Sequence, residues 1–277
     1  MESLDSLFRS RIGFNRRGAL RFDDLPALLA ATSLAFPFEN LAIVERRGLP
    51  ISRENLITKL LIRNEGGLCY ELNPLLYFFL LENEFDVTMV RGIVYNPELG
   101  AFVGTGHTHV TILLRHQGMT YVVDTGFGIF LPLHPVSLKG NLVSSHNGEF
   151  RVRPAIGENA VHGDFVFELK QRYKDPDWRI GYVFDSRHAI TTTECEEIRQ
   201  IIAGHSASPF NKRPLVAKLT ERGSITLTNM SLIITEDGNV SKEPVRPEQL
   251  RDLLALHFKL TLPSHSNARL AENQSSP

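Results

Sequence analysis

Cysteine is scarce in this chain: there are two in 277 residues, Cys69 and Cys195. Two thiols do not build a disulfide scaffold in a protein of this size. The sequence therefore reads as a reduced, cytoplasmic protein in which each thiol has to be explained singly. An excess of charge is missing too. Thirty Lys and Arg stand against 31 Asp and Glu, a formal net charge of -1, which gives no electrostatic case for nucleic acid or an anionic membrane. No uninterrupted apolar run reaches the roughly 18 residues of a membrane span. The opening residues Met1-Glu2-Ser3-Leu4-Asp5 lack the basic-then-apolar pattern of a secretory leader. Residues 100–106 are glycine-rich but lack the Lys-Ser/Thr of a Walker loop, which argues against a nucleoside-triphosphate site. Their backbone N–H groups remain suited to phosphate. There is no internal repeat and no low-complexity segment, and the length suits one large domain or two to three small ones.

What is present divides by periodicity. Up to about residue 88 the pattern is helical. Asp23 and Asp24 offer caps before Leu25-Pro26, and Ser52 offers one before Leu56, Ile57, Leu60 and Leu61. The pair Gly66-Gly67 is expected to end that second helix. A third helix carries Leu72, Leu75, Leu76, Phe79 and Leu80 on one face. Pro74 is tolerated in a first turn, which places the start of this helix close to Cys69. From about residue 87 short β-branched runs take over: 87–90, 110–114, 121–123, 148–152 and 164–169. A helix is expected over 189–203. Strands follow around 215–219, 225–227 and 232–234, then a helix near 247–258 with Leu250, Leu253, Leu254 and Phe258 on one face. The polar tail from Ser264 is expected to fray.

The most informative stretch is Gly66-Gly67-Leu68-Cys69-Tyr70-Glu71-Leu72-Asn73. A helix N-terminus and a nearby imidazolium both favour thiolate, the reactive form of cysteine. A nucleophilic Cys69 requires a histidine and a carboxylate distant in chain but near in space. Gly104-Thr105-Gly106-His107-Thr108-His109 opens one strand, and Asp124 ends the next. If Gln117-Gly118 is a two-residue hairpin loop, Asp124 opposes Thr111 and becomes a diagonal neighbour of His109, about 7–8 Å away at the backbone. His107 lies about 13 Å from Thr111 along the strand, so the register favours His109. The histidine would take the thiol proton, and the carboxylate would hold the imidazole. N–H groups of the helix start would hold an oxyanion. Other readings stand beside this one. A lone cysteine is often a core residue, which is the default for Cys195 in its acidic surroundings. His107, His109 and Cys69 have the residue types of a metal site, and an aspartate before glycine is often a turn former.

These elements together resemble a known family. The Cys69 stretch resembles its GG-x-C-[FY]-E-x-N signature, and Phe36-Pro37-Phe38-Glu39-Asn40-Leu41 its PFENL element. Thr108-His109 with the strand after it, and Val123-Asp124-Thr125-Gly126-Phe127-Gly128, are similar to two further pieces; residues 206–210 resemble another. The family is the arylamine N-acetyltransferases. The resemblance implies an α+β fold: an N-terminal helical bundle (1–88), a β-barrel-like middle domain (89–204) and a C-terminal α/β lid (205–277), around a cysteine-protease/transglutaminase-like core. It implies transfer of acetyl from acetyl-CoA to arylamines, arylhydrazines or related amines, by a ping-pong route through acetylated Cys69 with His109 and Asp124. It maps cofactor contacts onto Phe38, Gly104, Thr105, Gly106, Gly126, Phe127 and Gly128, and calls for no metal, nucleic acid or membrane. Glu65 stands where many members carry arginine, and Thr125 where valine is usual. The rivals are a family-like amide synthase closing macrolactams, a transglutaminase-like cysteine hydrolase, and a metal-binding protein without activity.

Overall fold

The computed structural model describes residues 2–16 and 18–261; the polar tail from Ser264 lies outside the described residues. Helices α1 (Leu4–Ile12), α2 (Leu25–Ala35), α3 (Leu41–Val44), α4 (Arg53–Leu56, continued by a π-helical stretch Ile57–Ile62) and α5 (Cys69–Glu82) come first. A two-residue strand β1 (Phe38–Glu39) lies between α2 and α3. Ser52 caps α4 as expected, its Oγ accepting from the Asn55 N–H at 3.2 Å. Asp24 instead closes the turn before α2, accepting from the Arg21 N–H at 2.9 Å.

Two local expectations are corrected. The chain leaves the α4 stretch at Asn64, whose φ of 56° is the left-handed conformation asparagine tolerates, and not at Gly66-Gly67. The glycine pair serves close approach: a Cβ on Gly66 would lie 2.2 Å from the Pro37 carbonyl oxygen. Strand β1 can thereby pass directly beside it, with Phe38 bridged to Gly67. Pro74 sits a turn deeper in α5 than expected. The carbonyl of Tyr70 therefore receives no N–H from position 74, a loss that the tightly packed helix absorbs.

Next comes the larger sheet: β2 (Asp86–Asn96), β3 (Ala101–Phe102), β4 (His109–His116), β5 (Met119–Val123), β6 (Val136–Ser137), β7 (Val143–Ser145), β8 (Gly148–Pro154), β9 (Phe165–Gln171) and β10 (Arg179–Ile190). Its strands run in the order β6-β5-β4-β2-β10-β9-β8-β7, with β3 on β2. β6 returns against β8, curling the sheet into a nearly closed barrel. The β4–β5 hairpin turns on Gln117 (φ 49°) and Gly118 (φ 72°), the pair of positive angles a two-residue loop demands. Ile112 therefore faces Val123 and His116 faces Met119, the register expected from the sequence. β4 is covered on both sides. Val110, Ile112 and Leu114 join the core of the helices, while Leu113 points with Val122, Phe150 and Phe167 into the barrel.

After the barrel, α6 (Thr192–Gly204) starts at Thr191, whose side chain accepts from the Thr193 N–H. It buries Cys195, Ile198 and Ile202 in the same core as Leu76 and Phe79 of α5. The second sheet comprises β11 (Leu215–Thr220), β12 (Gly223–Thr228), β13 (Ser231–Glu236) and β14 (Asn239–Pro244), with β1 added at its edge beside β11. A last helix, α7 (Leu250–Leu253, running on through Leu254–Phe258), lays Leu250, Leu254 and Phe258 on it, as their spacing predicts. The periodicity does not reveal β14, the short strands β1, β3, β6 and β7, or the long strand β10. Gly181 and the run Asp185-Ser186-Arg187-His188 interrupt its apolar pattern, and its register shifts twice.

Candidate active site

Cys69 is the first residue of α5, after Leu68 as the cap. The start of the helix is fixed by Glu71, which accepts from the Leu68 N–H at 3.1 Å with one oxygen and from Lys59 Nζ at 2.6 Å with the other. The first turn of a helix leaves N–H groups without intrahelical acceptors, here at Cys69 and Tyr70. The sulfur lies 3.5 Å from the Thr108 carbonyl oxygen, to which the thiol donates, and hydrogen-bonds to the ring of His109.

His109 begins β4, and its Nε2 is 2.7 Å from Asp124 Oδ2, which leaves Nδ1 for the sulfur. Both side chains are almost wholly buried. Four donors converge on the Asp124 carboxylate: His109 Nε2 and the Tyr182 hydroxyl (3.0 Å) on Oδ2, and Asn73 Nδ2 (2.9 Å) and the Gly126 N–H (2.8 Å) on Oδ1. Asn73 stands one helical turn after Cys69, so the helix that carries the sulfur also orients the carboxylate. Its Oδ1 accepts from the Thr125 N–H (2.8 Å) and hydroxyl (3.1 Å). Thr125, in place of the usual valine, thus adds a donor to this network. Gly126 is required by space: a Cβ there would lie 2.6 Å from the Cα of Cys69.

Sequence reasoning gave no role to Asn73 or Tyr182. The first was legible as the i+4 partner of Cys69. The second comes from β10, a strand without a clear pattern. Its ring packs on His109 at a centroid distance of 4.5 Å, and Phe127 covers the same imidazole at 5.1 Å.

The remaining candidate residues gather around this network. Thr105 Oγ1 is 3.0 Å from Thr108 Oγ1, pinning the loop of Gly104, Thr105 and Gly106 beside the carbonyl that meets Cys69. Phe38 pairs with Gly67, two residues before Cys69; it contacts Phe210 edge to face at 5.7 Å and borders Gly128. His107 is turned elsewhere, its Nε2 2.9 Å from the His162 carbonyl oxygen, in a cleft shared with Arg91 and His188. Among the described residues, no three of His, Cys, Asp and Glu are placed to hold a metal ion. None of the described helices is long and apolar enough to cross a membrane. Cys195 is buried on α6; burial first, then the charges of Cys69 and Glu194, push its thiol up to about 12. Burial, more than the acidic neighbours, keeps it inert.

Glu65 is paired with Arg47 Nη1 at 2.5 Å. The cation for buried Glu39 and Glu71 is Lys59, 3.7 Å and 2.6 Å away. Lys59 is itself 6% exposed, and its charge is the one that lets two carboxylates sit under the first turn of α5.

The electrostatics of the pair follow from the geometry. Burial alone would lower the pKa of His109, but the Asp124 charge, the hydrogen bond to it and the Cys69 sulfur outweigh burial and push it up to about 10. Burial works to raise Asp124; the His109 charge and the bonds from His109, Asn73 and Gly126 prevail and hold it below the usual carboxylate range. The raised His109 contributes stability that is complete below its unfolded value of 6.5 and lost as pH climbs through about 10. The lowered Asp124 contributes stability present above 3.8 and lost as pH falls through its folded value. Urea unfolding should therefore show a free energy that declines between about pH 7 and pH 10 in the wild type and less in His109→Gln. A wild-type curve no steeper than that of the variant would contradict the ion pair.

Comparison with known proteins places the chain in a family. A family model for N-acetyltransferases matches residues 21–267. An uncharacterized acetyltransferase of Bacillus subtilis is 37% identical over 86% of this chain and 91% of its own length. A probable arylamine N-acetyltransferase of Dictyostelium discoideum is 32% identical, covering 83% of this chain and 82% of that protein. The crystal structure of an arylamine N-acetyltransferase from Bacillus cereus, described as having a Cys-His-Glu catalytic triad, superposes with a TM-score of 0.88 at 37% identity, over 95% of this chain and 100% of that one. In the present chain the carboxylate on His109 is an aspartate. With its fold, the buried sulfur–imidazole–carboxylate line and matches along most of its length, the chain belongs to the arylamine N-acetyltransferase family of acyltransferases.

Proposed function

We propose that this enzyme moves acetyl from acetyl-CoA to the nitrogen of arylamines, arylhydrazines or related amines through an acetylated Cys69, with His109 and Asp124 as its catalytic partners. The observation that carries the reading is the hydrogen-bonded line from Cys69 through His109 to Asp124, with the sulfur at a helix start. His109 takes the thiol proton. The sulfur attacks the thioester carbonyl, and the oxyanion forms toward the N–H groups of the first turn of α5. As the tetrahedral intermediate collapses, the carbon–sulfur bond to CoA breaks and the CoA sulfur takes the proton from His109. The amine then attacks the acetyl-cysteine, His109 accepts the amine proton, and Cys69 leaves as thiolate.

Part of the raised pKa of His109 comes from the Cys69 sulfur. Acetylation removes that contribution and lowers the pKa, so more of the imidazole stands unprotonated and free to accept a proton in the step where an amine must give one up. An arylamine suits this step because its nitrogen is mostly unprotonated at neutral pH. Phe38 and Phe127 would flank the aromatic ring. Gly104, Thr105, Gly106, Gly126 and Gly128 would line the path of the CoA arm. In this reading residues 1–88 carry the nucleophile, 89–204 carry His109 and Asp124, and 205–277 form the lid. The cytoplasm, which keeps thiols reduced, is the compartment such a nucleophile suits.

Steady-state rates measured across both substrates test the reading. With acetyl-CoA and 4-anisidine, double-reciprocal plots should be parallel, because CoA departs before the amine enters. Intersecting lines would mean a ternary complex and defeat the two-step route. CoA release that continues beyond one equivalent per enzyme with no amine present would instead indicate a hydrolase.

A further inference from the structure

We propose that a second cleft, bounded by α3, the first turn of α5 and α6, is a binding site for a small monocarboxylate with an apolar body. The inference goes beyond the acetyl-transfer reading and does not depend on it. The cleft has a volume of about 790 Å³. Tyr70 faces it and is 1% exposed, yet among the described residues its hydroxyl has no hydrogen-bond partner. A buried phenol ordinarily finds one. This hydroxyl is an uncommitted donor aimed into a cavity.

The charges around the cleft identify the class of ligand. Glu71 lines it and is paired with Lys59 at 2.6 Å, a cation it shares with Glu39 at 3.7 Å. Arg199 reaches it from α6 and is held by Glu196 through bonds of 2.8 and 2.6 Å. Gly48 keeps that guanidinium uncrowded, since a Cβ there would stand 3.3 Å from Arg199 Nη1. Arg46, just beyond α3 in a left-handed conformation (φ 55°), makes no ion pair among the described residues. Of the cations lining the cleft, Arg46 is the one with no ion pair among the described residues, and the Tyr70 hydroxyl shares the cleft with it as a donor without a partner. A singly charged carboxylate accepts from both. A dianionic phosphate would bring a second charge toward Glu71 with no cation left to meet it. Ile43, Val44 and Ala203 supply an apolar wall for the rest of the molecule.

Sodium benzoate is a suitable probe. Its affinity for the full-length chain is measured by calorimetry, before and after Cys69 is blocked with iodoacetamide to exclude binding at the sulfur. The blocked protein should bind benzoate. Arg46→Glu should weaken binding about tenfold or more, equivalent to about 1.4 kcal/mol. Tyr70→Phe, which keeps the ring and its packing, should weaken it severalfold. Absence of binding to the blocked protein would overturn the proposal, as would unchanged affinity in Arg46→Glu. Inorganic phosphate binding at this cleft more tightly than benzoate would overturn the choice of a monocarboxylate.

Discussion

Replacing Cys69 with serine is expected to lower kcat/KM for acetyl-CoA by about ten-thousandfold or more, the scale seen when a catalytic nucleophile is removed. The argument is chemical. A serine hydroxyl is scarcely ionised near neutral pH, and His109 would have to remove its proton in the same step as attack. The fold should tolerate the change. Serine keeps one donor and its lone pairs for the Thr108 carbonyl and the His109 ring, the two partners of the sulfur, and the face of α5 built on Leu72, Leu75, Leu76 and Phe79 is untouched. Urea midpoints of the two proteins should therefore nearly coincide. Cys195 cannot take over: it is 0% exposed and packed in the core. If Cys69→Ser retains more than about a hundredth of the wild-type rate, the sulfur is not the nucleophile.

The second large effect is expected at Asp124. An asparagine there has the same shape but offers one oxygen and one NH2 where four donors now meet a carboxylate. Either His109 and Tyr182, or Asn73 and Gly126, would then face another donor. The imidazole loses both its charge partner and its orientation, and its pKa falls toward that of an ordinary histidine. A loss of about a thousandfold to ten-thousandfold in kcat/KM is expected, with a destabilisation of about 2–4 kcal/mol from the broken buried network. Kinetics and urea unfolding on the same preparation separate the two effects. Near-normal rates in Asp124→Asn would show that His109 does not depend on this carboxylate.

Much of this site could be read from local chemistry. Gln117-Gly118 can adopt the two positive φ angles of a tight hairpin loop, and that loop fixes which residues of β4 and β5 share a face. Both histidines have the parity of that face, and His109 is preferred over His107 because it lies nearer to Asp124 along the strand. The helical spacing from Leu72 to Leu80, with Pro74 near its beginning, placed a helix start at Cys69. What was not legible depends on partners distant in sequence. Tyr182 reaches Asp124 from β10, whose pairing with β2 and β9 leaves no periodic mark because its register shifts and polar residues interrupt it. Lys59 sits among Ile57, Leu60 and Leu61 and has the look of a surface lysine. Only the folded chain brings it to Glu39 and Glu71. The end of α4 went to Asn64 because Gly66-Gly67 was needed elsewhere, where side chains would strike Pro37 and Glu71.

The central claim is that one sulfur carries the acyl group between two substrates. Intact-protein mass spectrometry after mixing with acetyl-CoA and no amine tests it most directly. The account predicts a gain of about 42 Da, the mass of one acetyl group on a covalent intermediate, confined to the peptide containing Cys69 and discharged when an arylamine is added. No gain in mass, an adduct on another residue, or an adduct that the amine cannot remove would contradict it.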